Sequence, residues 1–184
     1  KMVFEDDKND EMKEYIRSTV DPQIKDFLLP MVRFDTKVDT RESNIQNREI
    51  AVGNFFADLA RATYGTNLGV VNAGIFKAEK LFDKNTFFRK IDLMKVFPYK
   101  RDVVIVVELT GQEIIQVIET SLSKYPKPNA QFLSWSGLVY EFDPKKEAGH
   151  RVIAESIMVD GVPLDPDKQY SVAMVSGLQH PQFG

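Results

Sequence analysis

The chain has 184 residues, 43% of them apolar, 28% charged and 11% aromatic, which suits one globular domain with its own core and excludes disorder as the main state. Its formal charge of −3, from 24 basic and 27 acidic residues, removes any general electrostatic case for wrapping a nucleic acid, so an anion site must be local. With no cysteine there is no disulfide framework, no thiolate nucleophile and no zinc ribbon, and no apolar run approaches the roughly 20 residues that span a bilayer. The acidic start Lys1-Met2-Val3-Phe4-Glu5-Asp6-Asp7 is unlike a signal peptide. Opening in a charged segment and stopping on Gln182-Phe183-Gly184, the chain reads as a soluble piece of a longer protein.

Along the chain, Met12, Tyr15, Ile16, Val20, Ile24, Phe27 and Leu28 form one helical stripe. Asp21-Pro22 falls inside it, so the stripe is either one helix kinked at Pro22 or two in line, the second capped by Asp21, and Pro30 ends it. Met31 to Val38 alternates apolar with polar and predicts a half-buried strand. From Glu49 to Tyr64, Val52, Phe55, Phe56, Leu59, Ala60 and Thr63 keep helical spacing, and Gly65 stands where a helix-ending glycine belongs. Leu68 to Asn72 predicts a buried strand with Asn72 at its exit. Asp102 to Leu109 is the most β-branched stretch and predicts a central strand, and Thr110-Gly111-Gln112-Glu113 opens a helix with a capping box. After a Pro126-Pro128-Asn129 loop, strands are expected over Gly137 to Asp143, Arg151 to Val159 and Gln169 to Val175, with a tight turn at Asp160-Gly161. About two or three helices with about six to eight strands, some in hairpins, give an α+β class with a mixed sheet.

Self-contained chemistry is hard to find in this sequence. His150 and His180 are the only histidines, thirty residues apart in loop-like sequence with no paired spacing, and they read as solvated side chains before they read as metal ligands. Ser134-Trp135-Ser136-Gly137 lacks the glycine that a nucleophile elbow needs before its serine, and Trp135 reads as core. Neither GxxxxGK[ST] nor GxGxxG occurs. What remains is a set of loop residues, each with two readings. Arg41 and Arg48 flank the start of a helix, where they hold a phosphate or are plain surface charges. Asn72, before Ala73-Gly74, contacts a ligand or makes a turn, and Tyr99, after Phe97-Pro98 and before Lys100-Arg101, stacks on a base or caps the core.

In order, these segments resemble the C-terminal domain of the 5'-nucleotidase family, two-domain metallophosphoesterases that include UDP-sugar hydrolases and 2',3'-cyclic-nucleotide phosphodiesterases. Arg48-Glu49 stands before Gly53-Asn54-Phe55-Phe56-Ala57-Asp58 as in R-E-x-x-x-G-N-x-x-A-D, after Asp39-Thr40-Arg41. Val71-Asn72-Ala73-Gly74-Ile75 is similar to N-A-G-G-I-R, Val96-Phe97-Pro98-Tyr99 to L-P-F, and Glu108-Leu109-Thr110-Gly111 to E-L-T-G. Phe132 to Leu138 is similar to F-L-Q-V-S-G-L, and Asp160 to Leu164 with Tyr170 to Ala173 to the closing hairpin. No single fragment is specific, but their shared order is. Two places depart from the pattern: Phe76 stands for the arginine of N-A-G-G-I-R, with Lys77 next to it, and Gly177 stands for a second clamp aromatic, the G-G-D-G-F ending being represented by His180 to Gly184.

The resemblance implies mixed β-sheets layered with helices, with residues 1–37 as interdomain helix and linker strand and 38–184 as the recognition domain. It implies that this domain binds a nucleotide or another small phosphorylated substrate. An N-terminal metallophosphoesterase domain of the same protein, outside this chain, would carry two divalent metal ions and the chemistry. The chain itself would hold no metal and no catalytic residue, and alone would be inactive. Arg48, Asn72 and Tyr99 would hold substrate, Gly137 would lie along the pocket, and Arg41 and Phe183 complete the candidate set. Family members are mostly exported, which implies a secreted, periplasmic or cell-surface location. The alternative is a non-catalytic interaction or regulatory domain that steers a phosphatase toward a phosphoprotein, motivated by Gly177 and the missing aspartate of the ending.

Overall fold

A computed structural model describes residues 10–15, 18–19, 21–98 and 102–179. Helices α1 (Asp10–Tyr15) and α2 (Asp21–Leu28) come first, with the second beginning at Asp21-Pro22. Strand β1 (Pro30–Arg33) follows at once, then β2 (Val38–Asp39) and the short α3 (Glu42–Ile45). The single strand expected over Met31 to Val38 is therefore two. β1 pairs antiparallel with β5 (Phe87–Arg89) and β2 with β4 (Leu81–Phe82), because the chain bends at Asp35-Thr36, where Phe34 exchanges backbone hydrogen bonds with Thr86 and Asn85. Phe34, Phe82 and Phe88 close this corner with ring centroids 5.3–5.6 Å apart.

Helix α4 (Ala51–Tyr64) turns Val52, Gly53, Ala57 and Ala60 inward, and Gly65 ends it in the left-handed region (φ 63) while its N–H bonds to the Arg61 carbonyl. β3 (Leu68–Asn72) is buried at every position. α5 (Lys90–Val96) leads toward β6 (Val104–Thr110), and α6 (Gly111–Ser121) starts on the expected capping box: the Thr110 hydroxyl accepts from the Glu113 N–H at 3.2 Å, and the Glu113 carboxylate accepts from the Thr110 N–H at 2.7 Å. Ile114, Ile118 and Leu122, four apart, are fully buried, each side chain worth roughly 1.5–3 kcal/mol of burial. β7 (Leu133–Ser136), β8 (Leu138–Val139), β9 (Met158–Val159), β10 (Val162–Pro163) and β11 (Gln169–Val175) complete the chain.

The main sheet has the order β6-β11-β3-β7, with β11 parallel to β3 and the other pairs antiparallel. Its centre is β11 with β3; the strand expected to be central, β6, is an edge. Strand composition reports how well side chains fit a pleated surface and not how many neighbours the strand acquires. The period of two sorts the sheet into unlike faces. Leu68, Val70, Leu133, Trp135, Val172 and Met174 share the face toward α6, whereas Gly69, Ser134, Ser136 and Ala173 share the face under α4. Small residues there let the helix backbone approach the strands.

The remaining strand expectations are cut short. β8 ends at Val139, and beyond it only Phe142 bridges to Val152. Within Arg151 to Val159 a 3₁₀ turn forms over Ala154–Ser156, held by the Ser156 hydroxyl on the Ile153 carbonyl at 2.6 Å, which leaves β9 two residues long. Asp160 and Gly161 turn β9 into β10 with φ of 49° and 79°, as expected of that dipeptide.

Candidate functional site

The segment carrying Arg48 is placed by a buried asparagine. Asn129 donates its N–H to the Gln46 carbonyl at 2.9 Å and its side-chain amide to the Ser121 carbonyl at 3.0 Å, and its Oδ1 accepts from Gln131 N–H at 3.1 Å. One residue, by its backbone N–H and its side chain together, thus fastens the end of α6, the loop before β7 and the turn before α4. Asn72 finishes the same loop: its Nδ2 donates to the Ala130 carbonyl at 3.1 Å, while Ala73 and Gly74 N–H groups donate to Phe132 and Ala130, each at 2.8 Å.

Beside this knot lies a cavity of about 300 Å³, at the small end of the range for ligand pockets. The exposed Arg48 and Glu49 line it together with the half-buried rings of Tyr125, Tyr140 and Phe142, and the buried Phe132 and Trp135. Tyr125 meets Phe142 edge to face, centroids 5.0 Å apart. Arg48 donates to Asn44 Oδ1, a neutral partner, and no carboxylate among the described residues pairs with it. Burial pushes the Tyr140 phenol up to about 12, with the negative charge of Glu49 adding to it and the Ser121 hydroxyl opposing it. A raised folded-state pKa stabilises the fold below the ordinary tyrosine pKa of about 10, and that contribution is lost as pH rises toward 12. Tyr140→Phe is expected to flatten the stability profile between about pH 10 and 12 by about 2–3 kcal/mol, measured by urea unfolding across that window.

A second cavity of about 400 Å³ adjoins the first and shares Glu49, Trp135, Leu138 and Val139 with it, so the two form one groove. Its own walls are polar: Asn54, Asp58, Arg61, Ser136 and Gly137. Ser136 donates to Asp58, and Arg61 pairs with Asp160. Gly137 has a φ of 79°, and a Cβ on it would stand 2.7 Å from both the Arg61 guanidinium carbon and the Asn67 carbonyl oxygen, so glycine is required twice over. Two residues lining the groove, Asn54 and Trp135, each carry a buried polar atom, Oδ1 and Nε1, with no partner among the described residues. Trp135 also walls a third, largely apolar cavity of about 350 Å³ between α6 and the sheet.

Of the residues singled out from sequence, the groove unites Arg48 and Gly137. Asn72 is buried and lines neither half. Arg41 is turned to Asp39, to which its Nε and Nη2 donate at 2.9 and 2.6 Å; with Arg41 and Asn44 donating to it, the Asp39 carboxyl is held well below the usual carboxylate range. Tyr99 and Phe183 lie outside the described residues, as does His180. At the departures inside the described residues, Phe76 is buried against Phe56 while Lys77 beside it pairs with Glu42 at 3.2 Å, and Gly177 lies in the 3₁₀ turn Ser176–Gln179, where an added Cβ would meet the Asp102 carboxylate at 3.9 Å. Sequence reasoning did not single out Glu49, Asn129 or the rings Tyr125, Tyr140 and Phe142. The available signal was the pair Tyr140 and Phe142, two apart and therefore on one side of an extended segment.

Among the described residues no three His, Asp or Glu side chains converge where a metal ion could sit, so the groove does not fit a dimetal centre. No helix among them is long and apolar enough to cross a membrane.

The chain matches the family described as 5'-nucleotidase, C-terminal domain, over residues 31–182. The trifunctional nucleotide phosphoesterase protein YfkN of Bacillus subtilis (strain 168) is 30% identical over 146 residues, which are 76% of this chain and 10% of that protein. Among solved structures, the 5'-nucleotidase precursor of Thermus thermophilus superposes with a TM-score of 0.74 at 24% identity, covering 89% of this chain and 32% of that one. The NAD nucleotidase of Haemophilus influenzae gives 0.71 at 14% identity, covering 91% and 32%. At those identities the structures show the shared α+β fold. The chain spans about a tenth of the curated relative and about a third of each solved one.

Proposed function

The chain belongs to the family of 5'-nucleotidase C-terminal domains, and from that premise we propose that it is the substrate-recognition part of a nucleotide-hydrolysing metallophosphoesterase. The dimetal centre and the bond cleavage belong, in this reading, to an N-terminal domain outside the chain, with residues 1–37 linking the two and 38–184 forming the recognition domain. The relatives support it by name: one is a nucleotide phosphoesterase and two are nucleotidases. The observation that carries it is the groove, in which half-buried aromatic rings stand beside an arginine that no carboxylate among the described residues pairs with. Rings of that kind hold a base by stacking, and a guanidinium fork holds a phosphate by paired N–H bonds.

In this assignment Arg48 anchors the phosphate, the rings take the base, and Gly137 lets the ligand pass close to the backbone. Asn72 acts as a positioning residue by ordering the loop that sets Phe132 beside Arg48. Tyr99 is retained as a base-stacking residue on the strength of its place in the family motif. Because the Thermus relative is a precursor, we place the parent protein outside the cytoplasm.

The purified chain, loaded with divalent metal, is expected to turn over no generic phosphoester, yet to bind nucleoside monophosphates in calorimetric titration. Arg48→Ala is expected to weaken that binding about tenfold or more, since a charge-assisted hydrogen bond is worth roughly 1.5–3 kcal/mol. Phosphatase turnover by the chain, or no binding at millimolar nucleotide, sinks the division of labour.

A further inference from the structure

Arg48 reaches the groove from an exposed turn, and its long side chain would sample many rotamers if nothing held it. The backbone before it is already fixed: Ile45 is 2% exposed, and the Gln46 carbonyl accepts from Asn129 N–H at 2.9 Å. What holds the guanidinium is the half-buried Asn44 on α3, four residues earlier, whose Oδ1 accepts from Arg48 Nη2. The other end of the same amide is committed too, since Nδ2 donates to Asp39 Oδ2 at 2.5 Å. Asp39 in turn accepts from Arg41, through Nε at 2.9 Å, Nη2 at 2.6 Å and the backbone N–H at 3.1 Å. Arg41, Asp39, Asn44 and Arg48 therefore make one line of hydrogen bonds that ends in the groove.

The direction of that line follows from charge. An amide has an accepting end and a donating end, whereas an ionised carboxylate only accepts. Asp39 therefore turns Nδ2 of Asn44 toward itself and leaves Oδ1 for Arg48; the amide turned over would set oxygen against carboxylate and amine against guanidinium. Asp39 stays ionised because Arg41 and Asn44 donate to it, which holds its carboxyl well below the usual range. Resting on the reading of Arg48 as the phosphate anchor, we infer that Asn44 is a positioning residue, set by Asp39 and Arg41, that aims the Arg48 guanidinium into the groove without neutralising it. A carboxylate at position 44 would aim Arg48 as well but would take up its charge, as Asp39 does for Arg41 and Asp160 for Arg61. An aliphatic side chain would leave the charge and lose the aim. The guanidinium fork keeps further N–H groups for a phosphate after donating to Asn44. The same line gives Arg41 a task other than touching substrate: it keeps the Asp39 carboxylate charged and in place.

A double-mutant cycle read by calorimetric titration of the 184-residue chain with AMP tests this. Asn44→Ala is expected to weaken AMP binding about three- to tenfold, because Arg48 must then be ordered when the phosphate arrives. Asn44→Asp, which keeps the shape of the side chain, is expected to weaken it further, because the new carboxyl pairs with Arg48. In the Arg48→Ala background neither substitution is expected to weaken binding beyond Arg48→Ala alone. An Asn44 that served only the fold would lower the melting temperature in both backgrounds and show no such dependence on Arg48. Equal weakening by Asn44→Ala with and without Arg48, or AMP binding as tight in Asn44→Ala as in the parent, overturns the assignment and leaves Arg48 as the anchor. AMP binding untouched by Arg48→Ala, or absent from the parent at millimolar nucleotide, defeats the reading of Arg48 and the assignment with it.

Discussion

Replacing Gly69 by alanine is expected to destabilise the domain by about 3 kcal/mol, the upper end for forcing one extra methyl into a packed core. An ordinary glycine within a strand would respond the other way, because alanine restricts the unfolded chain and gains roughly 0.4–1 kcal/mol. Contact decides the sign here. A Cβ at position 69 would lie 2.2 Å from the Ala57 carbonyl oxygen and 2.9 Å from Arg61 Cβ, and the nearer atom is helix backbone that cannot swing aside. Relief requires α4 to lift from β3 along the face where Gly53 also sits against Ser134, its own missing Cβ only 2.2 Å from that hydroxyl. Because Arg48 and Glu49 precede α4 directly and Arg61 lies on it, the lift also disturbs the groove. Thermal unfolding of Gly69→Ala by circular dichroism is the measurement, and a melting temperature at or above that of the parent would show that α4 does not depend on this close approach.

Elements written in short-range code were legible from the sequence. The spacing in α4 with Gly65 behind it, the Thr110–Glu113 capping box and the Asp160-Gly161 turn each depend on residues within a few positions of one another. What depends on distant partners was not. The β-branched Val104–Thr110 strand lies at an edge because the chain ends its fold by inserting Gln169–Val175 between it and β3, a choice that nothing inside either strand encodes. The same holds for the candidate site. Arg48 and Gly137 were visible as members of quoted motifs, yet the rings beside them come from the turn after α6, from β7 and the residue before it, and from the segment after β8, and Asn129 gathers the loops by bonds to Gln46 and Ser121. The α+β class and the order of the family's motifs were sufficient to name the domain, whereas the carboxylate and aromatic lining of its groove required the tertiary structure.

Trp135→Ala is expected to cost about 3–5 kcal/mol, the range for truncating a buried large aromatic. Trp135 pairs across from Val70, belongs to the main core cluster and is a wall shared by the cavity of about 350 Å³ and the groove, whose halves are about 300 and 400 Å³. Removing the indole joins these spaces, and the surrounding strands, fixed by their ladders and by α4 and α6 on either face, can collapse only in part. Trp135→Phe separates the ring from its N–H. It keeps most of the wall and deletes a buried donor that lacks an acceptor; such a group penalises the folded state by about 1–3 kcal/mol, so its loss offsets part of the smaller ring's deficit. The phenylalanine variant is therefore expected within about 1–2 kcal/mol of the parent, well above the alanine variant. Urea unfolding followed by far-ultraviolet circular dichroism compares the three, since neither variant keeps the sole tryptophan. Equal losses for both variants would mean that the indole N–H is satisfied in the folded protein and that the ring volume alone does not set the cost.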